Sequence, residues 1–200
     1  MLLELPDISH PSSSAGKVLK KLDKLSEDME MLLTSGNTYD VVLTADEFEV
    51  KAHKIILSSR SSVFARMFAN PMKENLENKV VISNLDRDSL QDFVFYIYTG
   101  RITLKDHKKC RDLFIAADLY DLPELRDICS AWLKFVTFDS AVDSLRLGND
   151  YDDQELKEAA MTFIAENSEA IKATEKWALL MQERPPLALE MLSYMFNGDV

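Results

Sequence analysis

Residues 48–68 read FEVKAHKIILSSRSSVFARMF. Phe48, Val50 and Ala52 alternate with Glu49 and Lys51, the period-two sign of a strand with one buried face. From Lys54 the pattern turns helical, in two short segments over 54–59 and 62–69 with serines at their junction. Serines near a helix start accept hydrogen bonds from unpaired backbone N–H groups, so these read as caps. His53, placed directly after an apolar strand, reads as a buried structural hydrogen-bonder. The rival reading is a Ser-His catalytic pair, but no G-x-S-x-G elbow presents a nucleophile. Strand followed by paired helices favours a scaffold.

Upstream, Pro6, Pro11, the run Ser12-Ser13-Ser14 and Gly16 predict a flexible lead over residues 1–16. From Lys17 the residues Val18, Leu22, Leu25, Met29, Leu32 and Leu33 recur at three- and four-residue steps. That is a helical stripe over 17–35, with Gly36 as its stop. Its apolar edge must be buried on its own domain or on a partner. Residues 39–43 predict a strand that pairs with 48–52 through the short connection 45–47.

Downstream, 80–82 reads as a third strand and 88–99 as a helix stopped by Gly100. Residues 102–104 suggest a short edge strand, and 110–119 a helix. Pro123 fits the first turn of the next helix, with Asp121 as its cap. After Val136 only helices are predicted, over 140–147, 154–166, 177–183 and 187–196. Asp152 or Asp153 caps the second of these, and Pro185-Pro186 breaks before the last. Strands do not alternate with helices, so a doubly wound sheet is excluded. The prediction is an α+β fold, a small sheet covered by helices, followed by an all-helical segment.

The 200 residues, 46% of them hydrophobic, suffice for one domain with a small appendix. No apolar run approaches the ~20 residues of a membrane span, and the N-terminus lacks the basic and apolar regions of a secretory signal. Cys110 and Cys129 are too few for a disulfide framework, which predicts a reducing setting, nucleus and/or cytoplasm. The net charge of -11 disfavours nucleic acid as the main ligand. Charge is uneven: residues 51–111 hold twelve Lys/Arg against six Asp/Glu, while 139–175 hold three against ten. Such asymmetry steers protein partners. His10, His53 and His107 do not combine with one another or with the cysteines at metal-ligand spacing, and no Gly-rich phosphate loop is present. No cofactor and no metal are expected. Met72-Lys73-Glu74, just after the helix ending near Phe68, is an apolar side chain followed two residues later by a carboxylate, a small recognition unit.

These pieces add up to a family. YDVVL (39–43) with residues 48–68 resembles the first half of a BTB/POZ domain. VFYIYTGRI (94–102) resembles its later helix, and LFIAADLYDLPELRDIC (113–129) its closing segment. Three ordered motifs across 39–134 make the likeness specific. Within the family, SEDMEMLLTSGNTYDVVL (26–43) and the Trp-bearing later helices resemble the C-terminal half of the speckle-type POZ proteins and their arthropod TD-and-POZ-like relatives. The resemblance implies a BTB/POZ domain over 17–135, including an N-terminal dimerisation helix, and a BACK- or 3-box-like helical extension over 136–200. It implies a non-enzymatic homodimeric adaptor. Leu22, Leu25, Met29, Leu33, Asp40 and Lys54 would lie at the dimer seam. Met72 and Glu74 would dock on cullin-3, with Phe68, Tyr120 and Leu122 beside them and residues 147–163 extending the surface. The chain would then bring a substrate protein to a ubiquitin ligase. The substrate-gripping MATH domain of the speckle-type proteins has no counterpart in the short lead. A second reading is therefore a regulatory, transcriptional or structural module that pairs with related BTB proteins and recruits no substrate itself. Leu192 stands where those proteins use a Tyr for higher-order assembly, which implies no filament through that helix.

Overall fold

The computed structural model describes residues 14–70 and 77–197. The chain divides into two units. One holds the residues up to Thr103 together with Leu119–Leu122, the other Leu104–Asp118 with the residues from Pro123 onward.

The first unit opens with α1 (Ser14–Ser35), which Gly36 ends at φ 60°, a left-handed position that costs a glycine little. Strands β1 (Val41–Ala45) and β2 (Phe48–Ala52) form a hairpin, and β3 (Lys79–Val81) joins β1 on its other side. The sheet order is β2-β1-β3, with β2 antiparallel and β3 parallel to β1. Val41, Leu43 and Ala45 of the central strand are buried, opposite Ala52, Val50 and Phe48 in register. On β2 the inward residues are half-buried or buried while Glu49 and Lys51 are exposed, as their alternation predicts.

Helices α2 (Lys54–Arg60) and α3 (Ser62–Ala69) follow as a pair, and α4 (Arg87–Thr99) packs beneath. Asp86 caps α4 by accepting from the Ser89 N–H at 2.9 Å, and Gly100 closes it at φ 68° with its N–H on the Tyr96 carbonyl. Leu57, Phe64, Ile82, Leu90, Phe93, Val94 and Ile97 are fully or almost fully buried.

In the second unit come α5 (His107–Leu119), α6 (Pro123–Leu133), α7 (Ala141–Asp150), α8 (Gln154–Glu166), α9 (Ser168–Lys172), α10 (Glu175–Glu183) and α11 (Pro185–Asn197). The core of α7 to α11 is Val142, Leu145, Ala160, Met161, Ile164, Ile171, Trp177, Leu180 and Met191 with small alanines between them; Leu192 packs at its edge. Helices α7 and α8 meet at Gly148, where a Cβ would stand 2.6 Å from the Lys157 backbone nitrogen. Only glycine permits that approach. Lys157 reaches out of the same junction to Asn149 at 3.1 Å and to Glu190 at 2.8 Å. Cys110 Sγ–H donates to the Cys129 carbonyl at 3.4 Å; the adjoining Cys129 thiol and burial push the Cys110 thiol pKa up, which suits a structural rather than a reactive group.

The α+β prediction holds, with four local corrections. No strand forms over 102–104, where the backbone is irregular. The first strand is displaced to Val41–Ala45 because pairing with β2 sets its register. Residues 168–172 form a turn of helix with too few apolar positions to announce it. Asp121 does not sit as a cap with extended backbone; it lies at φ 54° and accepts from Ser62 Oγ. Pro123 does open α6, and of the two candidate caps Asp153 accepts from the Leu156 N–H.

Candidate functional site

The candidate residues lie in the first unit, around the junction of β2, α2 and α3. His53 is buried, with 8% of its surface exposed. Its backbone N–H donates to Tyr98 Oη at 2.8 Å, and the same hydroxyl lies 2.7 Å from Nδ1. Nε2 faces the Asn37 carbonyl at 3.1 Å and Thr38 Oγ1 at 3.2 Å; because a carbonyl only accepts, Nε2 carries the proton of the neutral ring and Nδ1 accepts from the Tyr98 hydroxyl. Burial pushes the Tyr98 pKa up to about 12, against a smaller opposing effect of the His53 N–H. The serines go elsewhere. Ser61 accepts from the Phe64 N–H as the cap of α3 and donates to the Tyr120 carbonyl at 2.6 Å. Ser59 donates to the Ile56 carbonyl and Ser62 to Asp121. The histidine and these serines of the 48–68 stretch are thus bound into the scaffold.

Asp40 and Lys54 come together through the backbone: Asp40 Oδ1 accepts the Lys54 N–H at 2.7 Å. This replaces the cap that His53 does not supply to α2. The Lys54 ammonium donates to Asn78 Oδ1 at 2.6 Å and lies 5.5 Å from the centre of the Phe68 ring.

Phe68 belongs to an aromatic stack. Phe64 lies 5.8 Å from Phe68 on one side and 4.7 Å from Tyr120 on the other, and Tyr120 tilts onto Phe93. Phe68 is half-buried, whereas Tyr120 and Leu122 keep only 6% and 1% of their surface exposed. Tyr120 therefore backs the Phe64 ring on which Phe68 stacks, and Leu122 is part of the core. Met72 and Glu74 lie outside the described residues.

Helix α1 rests on α4. Ser26 Oγ donates to the Thr99 carbonyl at 3.0 Å, and Glu30 pairs with Arg101, whose guanidinium covers Phe95. Met29 and Leu33 are half-buried, whereas Val18, Leu22 and Leu25 stay 56%, 56% and 54% exposed. These three lie four and three residues apart, one above another on the helix, and form an uncovered apolar stripe.

A groove of about 460 Å³ runs between the end of α1, β2 and α4, floored by Leu33, Phe48, Val50 and Phe95 and rimmed by Glu49, Lys51 and Asp92. Sequence reasoning missed it, since its walls come from three separated segments. Among the described residues no three His, Cys, Asp or Glu side chains converge as a metal site.

Comparison with known proteins bears on this geometry. The BTB/POZ domain family matches residues 29–137. The chain is 34% identical over 168 residues to TD and POZ domain-containing protein 3 of Mus musculus, covering 83% of this chain and 46% of that protein. It is 30% identical over 173 residues to a BTB/POZ domain-containing protein of Arabidopsis thaliana, covering 84% of this chain and 71% of the relative. The solved BTB domain of zebrafish PATZ1 aligns at 20% identity with a TM-score of 0.47, over 64% of this chain and all of that one. The chain spans about half the length of the mouse relative.

Proposed function

The chain belongs to the BTB/POZ family, and on that premise we propose that it is a homodimeric adaptor that docks on cullin-3 and presents proteins to a ubiquitin ligase. BTB domains are dimerisation and adaptor modules, typically without catalysis of their own. The stripe Val18, Leu22 and Leu25 carries the dimer half of the proposal. Three apolar side chains in line, each more than half exposed on a helix already anchored to α4, supply a surface that a second copy would cover. Asp40 and Lys54, joined through the Lys54 N–H, would be the charged pair of that dimer seam.

The docking half rests on Phe68. The Phe64–Phe68–Tyr120 stack holds an aromatic ring at the surface one residue before the end of α3. Met72 and Glu74 follow it four and six residues later in the sequence. The Met would fill an apolar pocket and the Glu would accept hydrogen bonds, with Phe68 extending the apolar contact. The test is calorimetric titration of the whole chain with the cullin-3 N-terminal domain, wild type beside Glu74→Ala. Loss of a hot-spot side chain of ~2 kcal/mol weakens binding about thirtyfold. Absence of binding by the wild type would remove the ligase reading and leave a dimerisation module.

A further inference from the structure

Strand β2 ends the sheet. The pairing on its inner side fixes which backbone groups face outward. Val42 N–H donates to the Asn78 carbonyl and Thr44 C=O accepts from Ile82 N–H, so these two residues of β1 point toward β3. Val41, Leu43 and Ala45 therefore point toward β2, against Ala52, Val50 and Phe48. The N–H and C=O groups of Glu49 and Lys51 are left on the outer edge, and no hydrogen bond between described residues takes them up there. Their side chains stand exposed on the outer face of the sheet. Within one copy Glu49 meets Lys79 at 2.9 Å and Lys51 lies over the Tyr39 ring, exposed contacts that cost little to exchange. The groove floored by Leu33, Phe48, Val50 and Phe95 runs beside this edge.

We propose that the free edge of β2 pairs antiparallel with β2 of a second copy, in the register that sets Glu49 against Lys51. A two-fold axis through Val50 generates this register. Residues 49 and 51 of one copy face 51 and 49 of the other, and each such pair exchanges both of its N–H···O bonds. Only outward-facing residues can form those bonds, which leaves two competitors: Glu49 against Glu49, or Lys51 against Lys51. Both set like charges directly opposite, which destabilises a strand pair. Charge on an edge strand ordinarily discourages pairing. Here the charges are of opposite sign and symmetric about Val50, so they oppose every register but one. In that register Val50 meets its own copy, and Phe48 faces Ala52 along the apolar groove. The surface is separate from the α1 stripe, so a copy could use both at once.

The test uses the full chain with Val50→Cys. The two residues at position 50 would form a non-hydrogen-bonded pair with Cα atoms about 4.5 Å apart, within the ~4.4–6.8 Å a disulfide spans. Mild oxidation with copper phenanthroline should give a linked dimer on a non-reducing gel. The native Cys110 and Cys129 are buried, and Val81→Cys, at an outer-face residue 64% exposed, controls for random collision. Adding Glu49→Lys should suppress the link, and so should adding Lys51→Glu. Mixing these two chains should restore it, because an edge bearing only lysines then faces an edge bearing only glutamates. Sedimentation with Val50 intact gives a second readout: about tenfold or more weaker association for each single variant, reversed on mixing. Linking no better than the Val81→Cys control, or linking unaffected by Glu49→Lys, overturns the proposal. Loss of the α1 dimer through Leu22→Glu leaves the position-50 link intact, so the two interfaces are told apart.

Discussion

The hydroxyl of Tyr98 lies 2.7 Å from Nδ1 and 2.8 Å from the backbone nitrogen of His53. One oxygen, carried on α4, thereby satisfies two polar atoms at the end of β2 and the start of α2. The tautomer is set from the other side of the ring, where the Asn37 carbonyl accepts from Nε2 and leaves Nδ1 to accept from that hydroxyl.

Tyr98→Phe leaves a buried N–H and a buried ring nitrogen without their partner. The expected cost is about 1–3 kcal/mol, read as a lower melting temperature or denaturation midpoint. A variant as stable as the wild type would show that the bond contributes nothing net. The same pair predicts an alkaline limb. The folded-state pKa of Tyr98 is raised from 10.0 to about 12. The stability it supplies is therefore full below pH 10 and is lost as pH rises through about 12. Tyr98→Phe should flatten that part of the stability curve relative to wild type.

In the Glu49→Lys background, which removes β2 pairing, Leu22→Glu with Leu25→Glu should convert an α1-linked dimer to a species of half the mass by light scattering. Both side chains are more than half exposed, so the monomer fold should survive with near-native circular dichroism. Unchanged mass would place the dimer seam elsewhere.

Gly148→Ala sets a Cβ 2.6 Å and 2.9 Å from the backbone nitrogen and Cα of Lys157. Those atoms belong to α8, so relief requires moving a helix rather than a side chain. Overpacking of this kind costs about 1–3 kcal/mol, measurable by urea unfolding. The same change on the exposed surface of a helix would be neutral or favourable.

His107 gives an acid-side prediction. Burial lowers its pKa, opposed in part by Asp143 and Asp106 and reinforced by Arg111 and Lys176; Nε2 meets Ser144 Oγ at 3.0 Å. A depressed folded-state pKa means stability that is full above the ordinary value of 6.5 and lost as pH falls below it. The melting temperature of wild type should therefore drop between about pH 7.5 and pH 5 by more than that of His107→Gln. Parallel curves would show that His107 does not contribute.

Much of the scaffold was legible because its signals are local. The alternation of Phe48 to Ala52, the stop at Gly100, the start at Pro123 and a cap at Asp152 or Asp153, of which the structure uses Asp153, each depend on neighbours a few residues away. The strand expected over 102–104 failed for the complementary reason: a short apolar run becomes a strand only when an edge is there to pair with. For the candidate residues the sequence offers positions, whereas exposure depends on the fold. Tyr120 and Leu122 carry no local sign of their burial, to 6% and 1% exposure, because it comes from residues distant in the chain.

Sequence alone determined the α+β class, the ordered motifs of the BTB/POZ family, and the structural roles of His53 and of Ser61 as a cap, because periodicity and capping chemistry are written in adjacent residues. Tertiary structure decided the rest. His53 meets Tyr98 across 45 residues and Ser61 meets Tyr120 across 59. Which β2 groups face outward follows from pairing on the opposite side of the strand. Those facts depend on long-range closure, where many registers are compatible with one local pattern and packing selects among them.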